Sequence, residues 1–393
     1  MSAFHRIQAF LCTTFWLISA ASAFTQPQMT LAPEDERTLD SLGEAYLAET
    51  KVPGMAVGFL CQGKIMYTRG FGVKSLDTQD PVTPQSVFHT ASVSKTFVAT
   101  AAAILIEEEK LSLDDKIVDI LPYFEMRDER YREITVQDML THTSGMPDLW
   151  FYHWRNPRFG QGEDALENYV RSGPKQRLRA DAKTDWHYSN LAFDIMGDVI
   201  AKASGMPFEE FVKTRILLPA GMEASTFFAP EIDPALATTP HIRNIFLQPT
   251  AWKHYPYNRV HAGSSTLNAN VDDLLRYALL YLNEGTSVTG NEVFSEETYR
   301  LLTTPQYRVG INYDIGLGWF LSPAPGSEDP EKNRDVIEHS GGDVGYGSFL
   351  SIITSEDYAF VILFNGYWPH DEAYHPLVRT GYEIAQKYAE EGE

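Results

Sequence analysis

Strand-like apolar runs lie near both ends of this 393-residue chain. Two such runs flank Gln62-Gly63 within residues 54–73, a pattern typical of a β-hairpin. The first run is almost continuously apolar, which predicts a strand covered on both faces. Four further runs of strand length lie near the C-terminus: 315–322, 335–341, 347–354 and 358–365.

The middle of the chain has the helical period instead. Apolar positions recur every three or four residues over 191–205, and Gly205 can end that helix. Thr135 and Asn270 are capping residues that can begin two more helices. A last helix is predicted over 372–390.

These patterns predict an α/β fold of the α+β type, in which an antiparallel sheet is flanked by helices. Strands from both chain ends would form the sheet, because short hairpins make neighbouring strands antiparallel. One domain is expected at 24–393, with 24–90 and 262–393 in a sheet lobe and 91–261 in an inserted, mostly helical lobe. We expect a cleft where the lobes meet.

The first residues have the features of a secretory signal peptide, which we place at 1–23. Arg6 precedes an apolar run at 10–20, and the small residues 21–23 (Ala-Ser-Ala) supply a cleavage site. A membrane anchor is the alternative, but the run is short and is broken by two threonines. The sequence therefore predicts a secreted or periplasmic protein with no stable membrane insertion after cleavage.

Charge and composition narrow the choice of partners. The formal net charge is −21, with 53 acidic and 32 basic residues, which disfavours nucleic acid and anionic membrane surfaces. No cofactor or metal is predicted, because the histidines within 366–376 have no known zinc spacing. The expected partner is a small-molecule or peptide substrate, and the oligomeric state is left open.

A Ser-x-x-Lys sequence, Ser92 to Lys95, precedes the alanine-rich helical run 96–109. Residues three apart share one face of a helix, and the helix dipole and burial both favour a neutral, basic lysine beside the serine. The N–H of Ser92 itself could stabilise an oxyanion. The alternative is an ordinary helix with a snorkelling lysine, and a second copy at 172–175 is interrupted by glycine and proline.

Two downstream groups supply candidate partners. Tyr188 and Asn190 immediately precede a predicted helix, where Tyr188, its pKa lowered by a charged lysine, could relay protons and Asn190 could donate to a substrate carbonyl. His339-Ser340-Gly341-Gly342 ends a predicted strand. Glycines allow a ligand to approach closely, so this edge could bind an extended acyl group, with the Gly342 N–H as second oxyanion donor. A glycine-rich turn is the alternative.

In this order the three motifs resemble the serine β-lactamase and penicillin-binding-protein-like hydrolases, over about residues 40–365. The similar branch contains class C β-lactamases, D,D-carboxypeptidases, D-aminopeptidases and esterases. The resemblance implies a β-lactamase/transpeptidase-like fold, with Ser92 as nucleophile and Lys95 and Tyr188 moving protons. It implies a hydrolase of an ester or amide, D-amino-acid peptides included, acting through an acyl-enzyme, and the signal-like segment predicts that this hydrolase is exported. A β-lactamase proper, or a penicillin-type receptor that is acylated without turnover, are the alternatives.

The sequence departs from typical β-lactamases at His339. Those enzymes have a lysine there, in Lys-Thr-Gly or Lys-Ser-Gly, and that lysine helps to hold a substrate carboxylate. A largely neutral histidine weakens this attraction, so strong β-lactamase activity is not expected.

Overall fold

The computed structural model describes most of the chain. The described residues are 31–149, 154, 161–172, 176–310, 313–325, 327, 329, 333–366 and 375–391. The predicted signal peptide lies outside them, as do most of the aromatic stretch 149–154 and of the second Ser-x-x-Lys copy.

One antiparallel sheet dominates the fold. The strands described are β1 (Gly54–Cys61), β2 (Lys64–Gly72), β3 (Phe88–His89), β4 (His241–Arg243), β5 (Pro249–Ala251), β6 (Asn268–Ala269), β7 (Tyr307–Arg308), β8 (Asp314–Ile315), β9 (Phe320–Ser322), β10 (Val336–Asp343), β11 (Tyr346–Ile353) and β12 (Tyr358–Phe364). Eight of them form the sheet in the order β2-β1-β12-β11-β10-β9-β8-β7, while β3 pairs with β6 and β4 with β5.

Helices pack on this sheet and make up much of the chain between β2 and β7. Those described are α1 (Pro33–Thr50), α2 (Ser94–Glu107), α3 (Ile117–Ile120), α4 (Val136–Leu140), α5 (Ala165–Ser172), α6 (Asn190–Ser204), α7 (Phe208–Val212), α8 (Ala262–Ser265), α9 (Val271–Leu282), α10 (Glu296–Thr303) and α11 (His375–Glu391). A π-helical turn, Lys213–Leu217, continues α7.

Strands from the two ends of the chain pair within this sheet, as predicted, as the second and third strands from one edge. β1 pairs antiparallel with β12, from Met55 opposite Phe364 to Cys61 opposite Tyr358. Every residue of β1 is buried. At Gly58 an added Cβ would lie 2.5 Å from a side chain of α9, and at Gly381 of α11 it would lie 2.2 Å from a side chain of β1. Helices therefore approach β1 from both sides.

Local signals explain several boundaries. Gln62 and Gly63 both have positive φ (49° and 68°), as a two-residue hairpin turn requires. Thr135 begins α4 as predicted and forms a capping box with Asp138, and the helix ends at Leu140. The capping of α9 and the left-handed residue after α6 are also as predicted.

The prediction of a single strand over 315–322 is wrong in detail. The segment contains two short strands, β8 and β9, which are separated by a tight turn. At Gly318, within the turn, φ is 69°, and an added Cβ would lie 2.6 Å from the Ala99 Cβ. This close approach to α2 leaves no room for a straight strand, so the chain turns back on itself.

Candidate active site

Ser92 lies where the inserted lobe meets the sheet. It occupies a 3-10 turn, Ala91–Val93, that leads into α2, so the expectation that it belongs to the α-helix itself is wrong by a few residues. The Ser348 hydroxyl donates to the Thr90 carbonyl oxygen at 2.5 Å and holds this turn against β11. Ala91 has φ 48°, a left-handed conformation that is costly for alanine and is often found at functional sites.

Lys95 is completely buried beside Ser92. Its Nζ donates to Ser92 Oγ at 3.0 Å, to Asn190 Oδ1 at 2.7 Å and to the Ser264 carbonyl oxygen at 2.8 Å. Burial lowers the pKa of Lys95 to about 7, although nearby carboxylates act in the opposite direction. A neutral amine is therefore accessible near pH 7, which is the state that a base requires.

Tyr188 reaches the same two residues from the loop before α6. Its ring centroid lies 5.0 Å from Lys95 Nζ, and its hydroxyl is hydrogen-bonded to Ser92. The expectation that a charged lysine lowers the Tyr188 pKa is wrong, because burial raises that pKa above its usual value. Tyr188 is therefore a neutral phenol that can accept and donate a proton, but not a ready phenolate.

Asn190 is the first residue of α6, and its side chain is already engaged. Oδ1 accepts from Lys95, while the backbone N–H and Nδ2 both donate to Asp148 Oδ1, at 2.9 and 3.0 Å. One amide hydrogen is thus committed to Asp148, so any donation to a substrate depends on the other. No sequence pattern points to Asp148, an isolated acid that becomes important only through this tertiary contact.

His142 holds the segment that carries Tyr188 in place through a hydrogen bond and a ring contact. The Ser189 N–H donates to His142 Nδ1 at 3.1 Å, and the Ser189 hydroxyl donates to the Pro147 carbonyl oxygen at 2.9 Å. The His142 ring lies 4.3 Å from that of Tyr188 between centroids. Burial holds the pKa of His142 well below its usual value, so this histidine supports the loop as an uncharged ring.

His339 lies on β10, on the other side of the cleft. Its ring is 2% exposed and its centroid lies 6.5 Å from that of Tyr188. Nδ1 contacts the Ser340 carbonyl oxygen at 2.7 Å, and because a carbonyl only accepts, Nδ1 carries the proton. Burial, followed by the Lys95 charge, lowers the His339 pKa to about 3, so the ring is neutral at physiological pH.

The remaining residues of this motif separate into different environments. Ser340 is exposed, and by the alternation along β10 its side chain is on the face opposite His339. A Cβ on Gly341 would lie 2.2 Å from the Thr90 carbonyl oxygen and 2.8 Å from Ser92 N, so only glycine fits. From the sequence, a ligand is expected to approach closely at these glycines. At Gly341 the group that approaches closely is instead the protein's own backbone, at Thr90 and Ser92. A Cβ on Gly342 would meet nothing within 4 Å.

One edge of β10 is free next to these residues. β9 pairs with β10 only from Val336 to Glu338, whereas β11 pairs with it along its whole length. Among the described residues, the edge from 339 to 343 therefore has no strand partner on the β9 side. An extended substrate backbone could pair there.

A second buried network supports the end of β10. The Asp343 carboxylate accepts from the Ser265 hydroxyl at 2.9 Å, from Trp154 Nε1 at 3.1 Å and from the Val344 N–H at 2.7 Å. His89 Nε2 lies 3.3 Å away. This places Trp154 in a supporting role beside the cleft.

An aspartate–histidine pair lies deeper in the inserted lobe. His261 Nδ1 and Asp194 Oδ2 are 2.7 Å apart, and both side chains are fully buried. Asp194 lies one turn after Asn190 in α6, and its charge raises the pKa of Lys95 against the effect of burial. Neither residue was singled out from the sequence.

Together these groups define a serine hydrolase, with a buried lysine and a tyrosine at the serine and a strand edge across the cleft. The chain belongs to the Beta-lactamase family, whose model matches residues 39–380. It is 28% identical over 317 residues to penicillin-binding protein 4* of Bacillus subtilis, spanning 73% of this chain and 62% of that protein. Against a β-lactamase of Pseudomonas fluorescens the identity is 23%, covering 87% and 96% of the two chains.

The solved structure of a class C β-lactamase has the same fold. It superposes with a TM-score of 0.72, covering 90% of this chain and 96% of its own, at 22% sequence identity. The β-lactamase/transpeptidase-like architecture predicted from the sequence is confirmed. Within the part of the chain that the structure describes, no helix is long and apolar enough to cross a membrane.

Proposed function

We propose that this protein hydrolyses an ester or an amide through an acyl-enzyme formed on Ser92. The observation that carries the proposal is the buried Lys95 amine, with its Nζ 3.0 Å from Ser92 Oγ and its pKa lowered by burial to about 7. A lysine that is substantially neutral at pH 7 can accept the serine proton, which an ordinary lysine cannot.

The steps follow from the contacts at Ser92. Ser92 Oγ attacks the substrate carbonyl carbon while its proton passes to Lys95 Nζ, and the N–H groups of Ser92 and Gly342 stabilise the oxyanion. The neutral phenol of Tyr188 passes its proton to the leaving group as that bond breaks and takes the proton held by Lys95 in its place, so that the amine and the phenol are both neutral again. Water then attacks the acyl ester, its proton moves through Tyr188 and Lys95, and Ser92 leaves as the free hydroxyl.

The surroundings of His339 support a substrate without a carboxylate at this position. A ring whose pKa is about 3 offers no positive charge at neutral pH, so it cannot replace a lysine as a carboxylate partner. Esters and D-amino-acid amides therefore fit better than penicillins. His339→Lys should lower the KM for nitrocefin more than that for a neutral p-nitrophenyl ester. An equal effect on both would contradict this account.

A fluorophosphonate probe tests the nucleophile. Wild type should be labelled, whereas Ser92→Ala should not, and Ser94→Ala serves as the matched control because it changes the neighbouring serine. Loss of hydrolysis in Ser92→Ala should reach several orders of magnitude, about 10⁶-fold in a comparable serine hydrolase. Equal labelling of Ser92→Ala and wild type would refute the assignment.

Turnover distinguishes a hydrolase from a penicillin-type receptor. After a fluorescent β-lactam acylates Ser92, a hydrolase should release the label and regain esterase activity. Stoichiometric label that persists for hours, with no hydrolysis of p-nitrophenyl esters, D-amino-acid anilides or D-Ala-D-Ala peptides, would favour the receptor.

We further propose that the protein is exported, on the strength of the signal-like segment 1–23. N-terminal sequencing of the protein purified from the periplasm or medium of an expressing bacterium should begin near Phe24. Recovery of only the uncleaved chain from the cytosol would count against export.

A further inference from the structure

A pocket of about 580 Å³ lies on the face of the sheet opposite Ser92, between the sheet and α11. We call it the back pocket. This volume lies within the range of small-molecule sites. Its walls are mostly apolar and come from strands β9 to β12 and helix α11, chiefly Val336, Phe349, Ile353, Phe360, Val378 and Tyr382.

The back pocket contains one carboxylate without a cation. Glu338 lines it, and its hydrogen-bond partner is the hydroxyl of Ser351, which lies opposite it on β11. No ion pair involves Glu338 among the described residues. In apolar surroundings, a single neutral partner offsets little of the free-energy cost of removing a carboxylate charge from water. Burial accordingly raises the Glu338 pKa to about 7.

The other titratable groups of the back pocket do not neutralise Glu338. Arg379 pairs with Glu383 at 2.9 Å, and both lie at the exposed rim of α11. Tyr358 and Tyr382 also line the pocket, and burial raises the pKa of both phenols. A bound cation would therefore meet one partly buried acidic group in a mostly apolar space.

We propose that the back pocket binds a cationic amphiphile, an amine whose ammonium group pairs with Glu338 while its aryl or alkyl body packs against Phe349, Phe360 and Val378. The ammonium supplies the charge that Glu338 lacks, and the apolar body fills the remaining volume. Alternation along β10 places Glu338 and His339 on opposite faces, so this site is separate from the catalytic cleft.

Three isosteric probes test the charge preference: 1-naphthylmethylamine, 1-naphthalenemethanol and 1-naphthoate. Titration calorimetry on the full chain should show the amine binding about ten-fold or more tightly than the alcohol, and the carboxylate more weakly still. Binding of the amine should strengthen from pH 6 to pH 8 as Glu338 ionises. It should release protons near pH 7, seen as a heat that depends on the buffer.

Two variants locate the binding. Glu338→Gln should reduce amine affinity to that of the alcohol and abolish proton release, while alcohol binding stays unchanged. Val378→Trp, which fills the pocket from α11, should weaken both ligands, with thermal unfolding as the check on folding. Protein first modified at Ser92 by a fluorophosphonate should bind the amine as wild type does.

Several results would overturn the proposal: no amine binding, equal binding of amine and alcohol, or an undiminished amine affinity in Glu338→Gln. Loss of amine binding on modification of Ser92 would place the ligand in the catalytic cleft and would equally refute a back-pocket site. A failure of the proposed hydrolysis leaves these binding measurements unaffected, so the two proposals are tested separately.

Discussion

Replacing Lys95 by methionine should change how stability depends on pH, as well as abolishing hydrolysis. The side chain is fully buried, and methionine has a similar length but no titratable group. The unfolded chain binds a proton at Lys95 up to its ordinary pKa of 10.5, whereas the folded chain releases it above about 7. Between these two values the unfolded state binds more protons, so the Lys95 contribution to stability increases with pH.

The size of this effect follows from the difference between the two pKa values. From 10.5 to about 7 it corresponds to about 5 kcal/mol in total, at about 1.4 kcal/mol per pKa unit. The amine is half-protonated in the folded state near pH 7, so the part gained between pH 7 and pH 9 is about 2 kcal/mol. The contribution is lost again as pH falls through this window toward 7.

Urea unfolding of wild type and Lys95→Met at several pH values between 6 and 9.5 measures this directly. The free energy of unfolding of wild type, minus that of the variant, should rise by about 2 kcal/mol from pH 7 to pH 9. Titrations of other groups cancel in the difference. The hydrogen bonds lost from Nζ add only a constant, because their acceptors do not titrate in this range. A difference that stays flat with pH would refute the lowered lysine pKa, and with it the role of Lys95 as a base at neutral pH.

The remaining predictions concern groups around the nucleophile. Asp148→Asn removes a negative charge that raises the Lys95 pKa, so the acidic midpoint of the kcat/KM profile should move to lower pH. Asparagine keeps an Oδ1 that can accept from Asn190, so kcat itself should change little, and an unmoved midpoint would show that Asp148 is merely structural. Gly341→Ala should cost about 10²-fold in kcat/KM, because its Cβ would displace the nucleophile turn. Gly310→Ala is the matched control and should stay near wild type, since its Cβ would meet nothing within 4 Å.

Much of the fold was predictable because its strands are paired by short connections. The Gln62-Gly63 turn and the polar turn before Tyr358 each specify a hairpin locally, and the long-range pairing of β1 with β12 follows once both are buried strands. Helix α1 was missed although its signals are present: Pro33 at the first turn and three acidic residues after it.

Part of the candidate site could be predicted from residues close together in the sequence, and part could not because it depends on tertiary contacts. Ser92 and Lys95 are three residues apart, so helical geometry alone brings them together, and a 3-10 turn serves as well as an α-helix. Tyr188 was expected from the resemblance, but its raised pKa depends on the packing of His142 and other residues distant in sequence. The position of Gly341 against the nucleophile turn likewise requires the assembled sheet.

The working pKa of Lys95 shows why a motif is not sufficient to define this chemistry. Burial lowers it, and three carboxylates oppose burial: Asp194 in α6, Asp148 before it and Asp343 at the end of β10. These residues lie in different parts of the sequence and belong to none of the three motifs. A substitution at any of them would shift the pH range of activity while every motif residue stayed the same. The motifs therefore specify which atoms react, whereas the pH at which they react is set by charges that only the folded structure brings near the amine.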